Sequence, residues 1–269
     1  MSLQLSIITA CYNHGIYLDE MIESVRYSLD GIVYEHIIVD DGSTDLFTKE
    51  KLTQLSLQGV IVLHQSNQGL GAARNAGIQR AQSDFILPLD CDNKLCPGFV
   101  QQALPVFSQE SEVGVVYGDA VLFGEKKGYC NVGPFNLQRL MLSNYIDACA
   151  LFRKSSWEKI GGFDESRTIM MWSDWDFWLR VAFEGIRFRY LAIAAFEYRV
   201  LSHSMVHGAN RAKYLDAAAF FYKKHQHYLG DVYLFTKLNA LKVALAKFMP
   251  GLYQLFIRMG IIKNPFSLW

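Results

Sequence analysis

The chain is 269 residues long, 51% hydrophobic and 14% aromatic, which is apolar material for one large core, alone or with a small appendage, and excludes a disordered chain. Lysine plus arginine and aspartate plus glutamate both number 26, giving zero formal charge, so the basic field of a nucleic-acid reader is missing and no nucleic-acid partner is expected. The five cysteines, Cys11, Cys91, Cys96, Cys130 and Cys149, show no paired metal spacing and nothing at the amino terminus resembles a secretion signal; we read them as reduced thiols in a cytoplasmic protein.

In chain order, strands are predicted over residues 5–9, 36–40, 60–63 and 85–89, each followed by an amphipathic helix, over 17–27, 46–55, 70–81 and 98–107. This alternation predicts an α/β fold, a mostly parallel central sheet flanked by helices on both faces. The rhythm then breaks. Residues 113–117 and 120–123 read as two strands and 124–134 is rich in turn residues; a strand over 148–152, a helix over 174–183 and a long apolar segment over 186–200 follow. Irregular segments beside a rigid sheet tend to build substrate sites. From 209 onward the chain reads as two or three helices. The expected organisation is a domain over 1–208, in halves 1–110 and 111–208, with a C-terminal helical extension over 209–269. After Asp231 the extension carries Lys237, Lys242, Lys247, Arg258 and Lys263 and no acidic residue, and its apolar stretches are too short to span a bilayer. Two roles stay open for it: peripheral contact with an anionic membrane surface, or packing on the domain or in a homodimer interface.

Three stretches carry chemistry. Asp90 and Asp92 directly follow the apolar run 85–87, which places carboxylates at the carboxyl edge of a sheet, where open α/β folds bind ligands. A hard divalent cation can hold a diphosphate there, although an Asp pair after a strand also serves as a turn or helix cap. The second strand ends in Asp40-Asp41-Gly42-Ser43-Thr44-Asp45; an Asp at this edge can accept from a base N–H or a ribose hydroxyl, while Ser43 or Asp45 is expected to cap the next helix. Residues 67–77 open the third helix with small residues that admit a ligand close to the backbone, and Arg74, one turn inside, suits phosphate oxygens. The stretch is neither a P-loop nor a dinucleotide Gly-x-Gly-x-x-Gly. A close-packed small-residue helix is the plain alternative.

Taken in order, Ser6-Ile-Ile-Thr-Ala-Cys-Tyr-Asn13, Asp40-Asp41-Gly-Ser43, Asn67-Gln-Gly-Leu-Gly-Ala-Ala-Arg-Asn75 and Asp90-Cys-Asp92 resemble the family 2 glycosyltransferases, inverting enzymes of the GT-A fold that use nucleotide sugars. The resemblance implies a GT-A nucleotide-binding fold with a donor half (1–110) and an acceptor half (111–208). The implied donor is a nucleoside diphosphate sugar, UDP by default, contacted at Ala10, Tyr12, Asn13 and Asp41, with Arg74 near the nucleotide or phosphates. Asp90 and Asp92 become the Asp-x-Asp element, Asp92 being the direct ligand of a divalent metal, Mn²⁺ or Mg²⁺.

Gly161-Gly-Phe-Asp-Glu165 and Met171-Trp-Ser-Asp-Trp-Asp-Phe-Trp-Leu-Arg180 look like that family's acceptor-side motifs. The second usually reads Glu-Asp before an aromatic, the Asp being the catalytic base; Asp174 matches it, and Ser173 stands where the Glu would be. One carboxylate within reach of the acceptor hydroxyl suffices for inversion. The same residues also read as a capping box, Ser173 as N-cap with Asp176 reaching back. Trp178 is expected in the core with Leu179 and Ala182, which leaves Trp172 as the residue to stack on an acceptor sugar beside Ser173. The family's late His, in a Tyr-Arg-Val-His context, falls on Leu201 here, and His203, or else His207, is the candidate metal ligand in its stead.

The function expected is metal-dependent, inverting transfer of one sugar to an acceptor hydroxyl in polysaccharide, glycolipid or glycoprotein glycan synthesis. Two alternatives stand beside it. A sugar nucleotidyltransferase would share the nucleotide site and the metal, but the first strand lacks its Gly-rich, basic signature. A non-catalytic glycan-binding or assembly subunit is kept open by Ser173 and Leu201 and opposed by Asp174 and Asp92.

Overall fold

The computed structural model describes residues 3–201 and 211–228; His203, His207 and residues 229–269 of the expected extension lie outside them. The described residues fall into two compact units, one made of those up to 166 with 172–201, the other of 167–171 with 211–228.

The first unit is built on one sheet of nine strands in the order β3-β2-β1-β4-β8-β6-β9-β5, with β7 paired to β6. The strands are β1 (Leu5–Cys11), β2 (Tyr34–Asp40), β3 (Ile61–His64), β4 (Phe85–Pro88), β5 (Lys94–Leu95), β6 (Val113–Gly124), β7 (Gly128–Cys130), β8 (Leu151–Arg153) and β9 (Arg187–Val200). The helices are α1 (Leu18–Ser28), α2 (Leu46–Leu57), α3 (Leu70–Arg80), α4 (Phe99–Gln109), α5 (Leu137–Leu142), α6 (Lys154–Ile160) and α7 (Ser173–Phe183).

Central β1 and β2 are buried on both faces, Ile7, Ile8, Ile37, Ile38 and Val39 all lying in the core. That is why they read as continuous apolar runs rather than alternating ones. The parallel register sets Ile8 opposite both Ile37 and Pro88. Pro88 is tolerated because it ends β4 and the ladder passes to Leu89, whose N–H donates to the Ile8 carbonyl at 2.9 Å. Gly77 lets α3 lie flat on this face, since a Cβ there would sit 2.5 Å from Ile8 Cγ2.

The first half of the sheet, β3-β2-β1-β4, is the parallel run expected; antiparallel pairs enter with β8, β7 and β5. Here the structure departs from the sequence reading. Residues 113–117 and 120–123 form one strand, β6, and the apparent break at Gly118-Asp119 is an irregularity in its register with β9. Asp119 is buried there because Tyr129 Oη, Tyr190 Oη and the Val132 N–H donate to its carboxylate at 2.8–2.9 Å. The strand expected over 148–152 is only Leu151–Arg153. Upstream, the Cys149 N–H turns back to Asp147 Oδ1 at 2.8 Å instead of joining a ladder. Helices α5 and α6 and strands β5 and β7 were not predicted.

In the second unit, α8 (Arg211–His225) carries a buried stripe, Ala217, Ala218, Phe221 and His225, at helical spacing. No helix among the described residues is long and apolar enough to cross a membrane. All five cysteines are free.

Candidate active site

The carboxyl ends of β1, β2 and β4 meet at one edge of the sheet. Ala10 is half-buried there and Tyr12 exposes 44% of its surface. Asn13, which follows, is in the left-handed region at φ 55°, a conformation that Asn tolerates better than most residues. Its side chain is used within the protein: Oδ1 accepts from the Thr44 and Asp45 N–H groups at 2.7 and 3.2 Å, and Nδ2 donates to Thr44 Oγ1 at 3.0 Å. Asn13 thus clamps the loop after β2. Asp45 caps α2 as expected, accepting from the Thr48 N–H at 2.7 Å.

The two aspartates ending β2 differ in task. Asp40 accepts from the Ser43 N–H at 2.8 Å and pairs with His64 at 3.0 Å. Burial opposes its charge, yet these partners hold its carboxyl below the usual range. Asp41 Oδ1 accepts from Gln65 Nε2 and the Gln68 N–H, and Oδ2 from the Gly69 N–H, at 2.7–2.8 Å. The two backbone donors just before α3, those of Gln68 and Gly69, are thus taken by a protein carboxylate.

Gly71 and Gly77 of this stretch also pack closely on protein. A Cβ at Gly71 would stand 2.1 Å from the Asp164 carbonyl oxygen, so only glycine lets α3 and the 161–165 loop approach this closely. Asn75 locks the same loop, accepting from Trp157 Nε1 and the Phe163 N–H and donating to the Phe163 carbonyl and Glu165. Arg74 is 3% exposed; its guanidinium donates to Asp90 Oδ1 at 2.7 Å and Ser173 Oγ at 3.2 Å. It belongs to the site, but its visible bonds go to protein acceptors, not outward to phosphate.

In the turn after β4, the Asn93 N–H donates to the Asp90 carbonyl at 3.0 Å. Arg199 Nε donates to the Asp92 carbonyl at 2.8 Å and the Arg199 N–H to Asn93 Oδ1 at 2.9 Å. Its guanidinium lies between the rings of Tyr17 and Phe123, at 4.6 and 4.3 Å, and pairs with Glu20. This pins the turn to β9 and α1. Burial and then the charge of Asp90 push the Asp92 carboxyl up to about 6. Cys91 shares a hydrogen bond with Cys11, and its Sγ lies 3.6 Å from His14 Nδ1. Among the described residues no three metal-ligating side chains converge. One or two carboxylates completed by substrate phosphates are, however, a usual way for Mg²⁺ to bind, and the hard oxygens at Asp92 and Asp90 fit such an ion.

The opposite wall comes from α7. The capping-box expectation fails: Trp172 occupies the N-cap and its side chain does not cap the helix, Ser173 is the first helical residue with its hydroxyl accepting from Arg74, and Asp176 pairs with Arg180 one turn on at 2.7 Å. Arg74 holds the Ser173 hydroxyl by a charge-assisted bond, and Arg180 holds Asp176 as an ion pair. Trp178 and Leu179 are buried as expected, Ala182 only half so. Trp172 is half-buried, its ring edge-on to Trp175 at 5.7 Å.

Asp174 is half-buried at the start of α7, Oδ1 accepting from the Trp175 N–H and Oδ2 from Asn144 Nδ2, both at 2.8 Å. Burial pushes its carboxyl up to about 6, against the opposing pull of Arg74, the Trp175 N–H and Asn144. Asp147 is displaced upward too, by burial and then by the charges of Asp90 and Asp174. Neither Asn144 nor Asp147 was singled out from sequence. Both lie in an irregular loop with no motif, and only their convergence on Asp174 marks them.

The curled mixed sheet is that of the GT-A fold. The model of the glycosyl transferase family 2 matches residues 6–161, and the chain belongs to that family. A Bacillus subtilis relative, the uncharacterized glycosyltransferase YwdF, is 29% identical over 86% of this chain and 86% of its own length. Glycosyltransferase GlyG of Streptococcus pneumoniae is 35% identical, but over 48% of this chain and 42% of its own. Among solved structures, S. aureus TarS 1-349 in complex with UDP superposes with a TM-score of 0.62 at 17% identity, over 81% of this chain and 64% of that one.

Proposed function

We propose that the chain transfers a sugar from a nucleoside diphosphate sugar, UDP-linked by preference, to an acceptor hydroxyl with inversion. Asp174 is the general base and Asp92 the residue that holds a divalent metal, Mn²⁺ or Mg²⁺. One observation carries this reading: the buried Arg74 guanidinium bonds both Asp90 of the Asp-x-Asp turn and Ser173 beside Asp174. One rigid planar group thus holds the Asp-x-Asp turn and the residue next to the base, and its charge also acts on Asp174. TarS, whose structures hold UDP and UDP-GlcNAc, supports a nucleotide-sugar partner.

In this reading the exposed ring of Tyr12 stacks on the base, and Asp41, with three of its roughly four lone-pair sites used, accepts one base N–H. Ala10 lines the same cleft, and Asn13 shapes it by holding the loop. A bound divalent ion offsets the charge that builds on the departing diphosphate. Trp172 and Ser173 border the acceptor, and Asp174 takes the proton of its attacking hydroxyl. With its carboxyl near 6, that base is ionised at neutral pH yet stronger than an ordinary carboxylate, as general-base work requires. Partners follow from this chemistry: a nucleotide sugar, a hydroxyl of a glycan or lipid-linked sugar, and an anionic membrane surface met by the basic residues after 231.

Calorimetric titration with UDP and with UDP- and GDP-sugars, in Mn²⁺ and then EDTA, tests the donor half. Metal-dependent binding of one nucleotide class is the expected result, and absence of binding in both conditions would favour a non-catalytic subunit. Sedimentation with anionic liposomes of the chain cut before Ala240 tests the tail, which is expected to lose binding.

A further inference from the structure

Asp174 is held by two hydrogen bonds of different origin. One comes from the helix itself, the Trp175 N–H to Oδ1; the other comes from outside, from Asn144 in the loop between α5 and β8, to Oδ2. The orientation of the Asn144 amide is set by its own oxygen, which accepts from the Ile146 N–H at 3.4 Å, so the NH₂ group is the end that faces Asp174. We propose that Asn144 is a positioning residue for sugar transfer, keeping Asp174 ionised and turned so that a free lone pair meets the acceptor hydroxyl. This rests on the reading of Asp174 as the base.

The charges around Asp174 show why a neutral amide serves there. Arg74 reaches it from α3, Asp90 from the turn after β4, Asp147 from Asn144's own loop and Tyr198 from β9. Arg74 is the cation among these groups, and it already donates to Asp90 and Ser173. Without a second fixed donor, the Asp174 carboxylate can turn about its Cβ–Cγ bond toward that guanidinium, which would draw the base away from the acceptor. A second cation in place of the amide would lower its basicity. An amide fixes the group without adding charge, and a hydrogen bond to the charged form favours that form.

The test has a readout that needs neither acceptor nor metal. The ¹³C shift of the Asp174 carboxyl, followed with pH in the wild type, Asn144→Ala and the nearly isosteric Asn144→Asp, reports its protonation directly. From a midpoint near the wild-type value of about 6, Asn144→Ala is expected to move upward by about one unit and Asn144→Asp further, since a second carboxylate then faces the first. In parallel, release of UDP from the UDP-sugar that binds, with water as acceptor, is measured across pH. The expected pattern is a loss in kcat at pH 6 of roughly 5-fold for Asn144→Ala, and more for Asn144→Asp, that narrows toward pH 8, with donor KM unchanged. An unmoved midpoint in both variants, or a loss equal at all pH values, overturns the role of Asn144. Wild-type UDP release by Asp174→Asn would instead remove the base reading on which the proposal stands.

Discussion

The loops that end β1, β2 and β3 and the wall formed by the turn after β4, the α5–β8 loop and α7 are both rich in Asp and Asn, yet they use them differently. In the first region the acceptors are supplied by close protein donors: Asn13 holds Thr44 and Asp45, Asp40 holds Ser43, and Asp41 holds Gln65, Gln68 and Gly69. In the second, Asp92, Asp147 and Asp174 are shifted upward first by burial, and the charge of Asp90 adds to each shift. The contrast separates a scaffold, whose polar groups hold the chain, from a working wall, whose carboxylates keep energy to gain from a cation or a proton.

Substitutions can break that contrast. The largest effect is expected for Asp174→Asn, a fall in kcat of roughly 10²–10⁴-fold with calorimetric UDP-sugar binding retained. The wild-type rate should fall as pH drops through about 6, where Asp174 takes up its proton; a profile flat from pH 5 to 8 would place the base elsewhere. Arg74→Met comes next, because it leaves Asp90 and Asp174 uncompensated. Urea unfolding should show a loss of about 3 kcal/mol, the low end for a broken buried pair since Asp90 is partly exposed, and the acid limb should move upward. Asp41→Ala should cost about 1–3 kcal/mol by stranding the Gln68 and Gly69 N–H groups. It should also weaken nucleotide binding through the lost base contact, and unchanged stability would break the scaffold assignment. Gly71→Ala should destabilise by about 1–3 kcal/mol, as its Cβ meets the Asp164 carbonyl, and thermal unfolding would register it.

Much of the first half was legible because burial on both faces of β1, β2 and β4 leaves uninterrupted apolar runs, and the helices between them fall within a few residues of their expected bounds. The second half was less legible for local reasons. Gly118-Asp119 has the composition of a turn, but Tyr129, Tyr190 and Val132 supply donors from distant positions and keep the strand continuous. Ser173 and Asp176 have the spacing of a capping box, but Arg74, 99 residues before Ser173, and Arg180 take their oxygens.

The sequence by itself determined the βα alternation, the order of the motifs and the family they define, because each is written in neighbouring residues and in hydrophobic period. Only the tertiary structure decided which polar groups serve the chain and which face the cleft. It turned Asn13 and Asp41 into loop anchors, buried Arg74 between Asp90 and Ser173, and brought Asn144 and Asp147 to Asp174. Those assignments depend on hydrogen-bond partners and burial supplied by segments far apart in the chain, which no local pattern encodes.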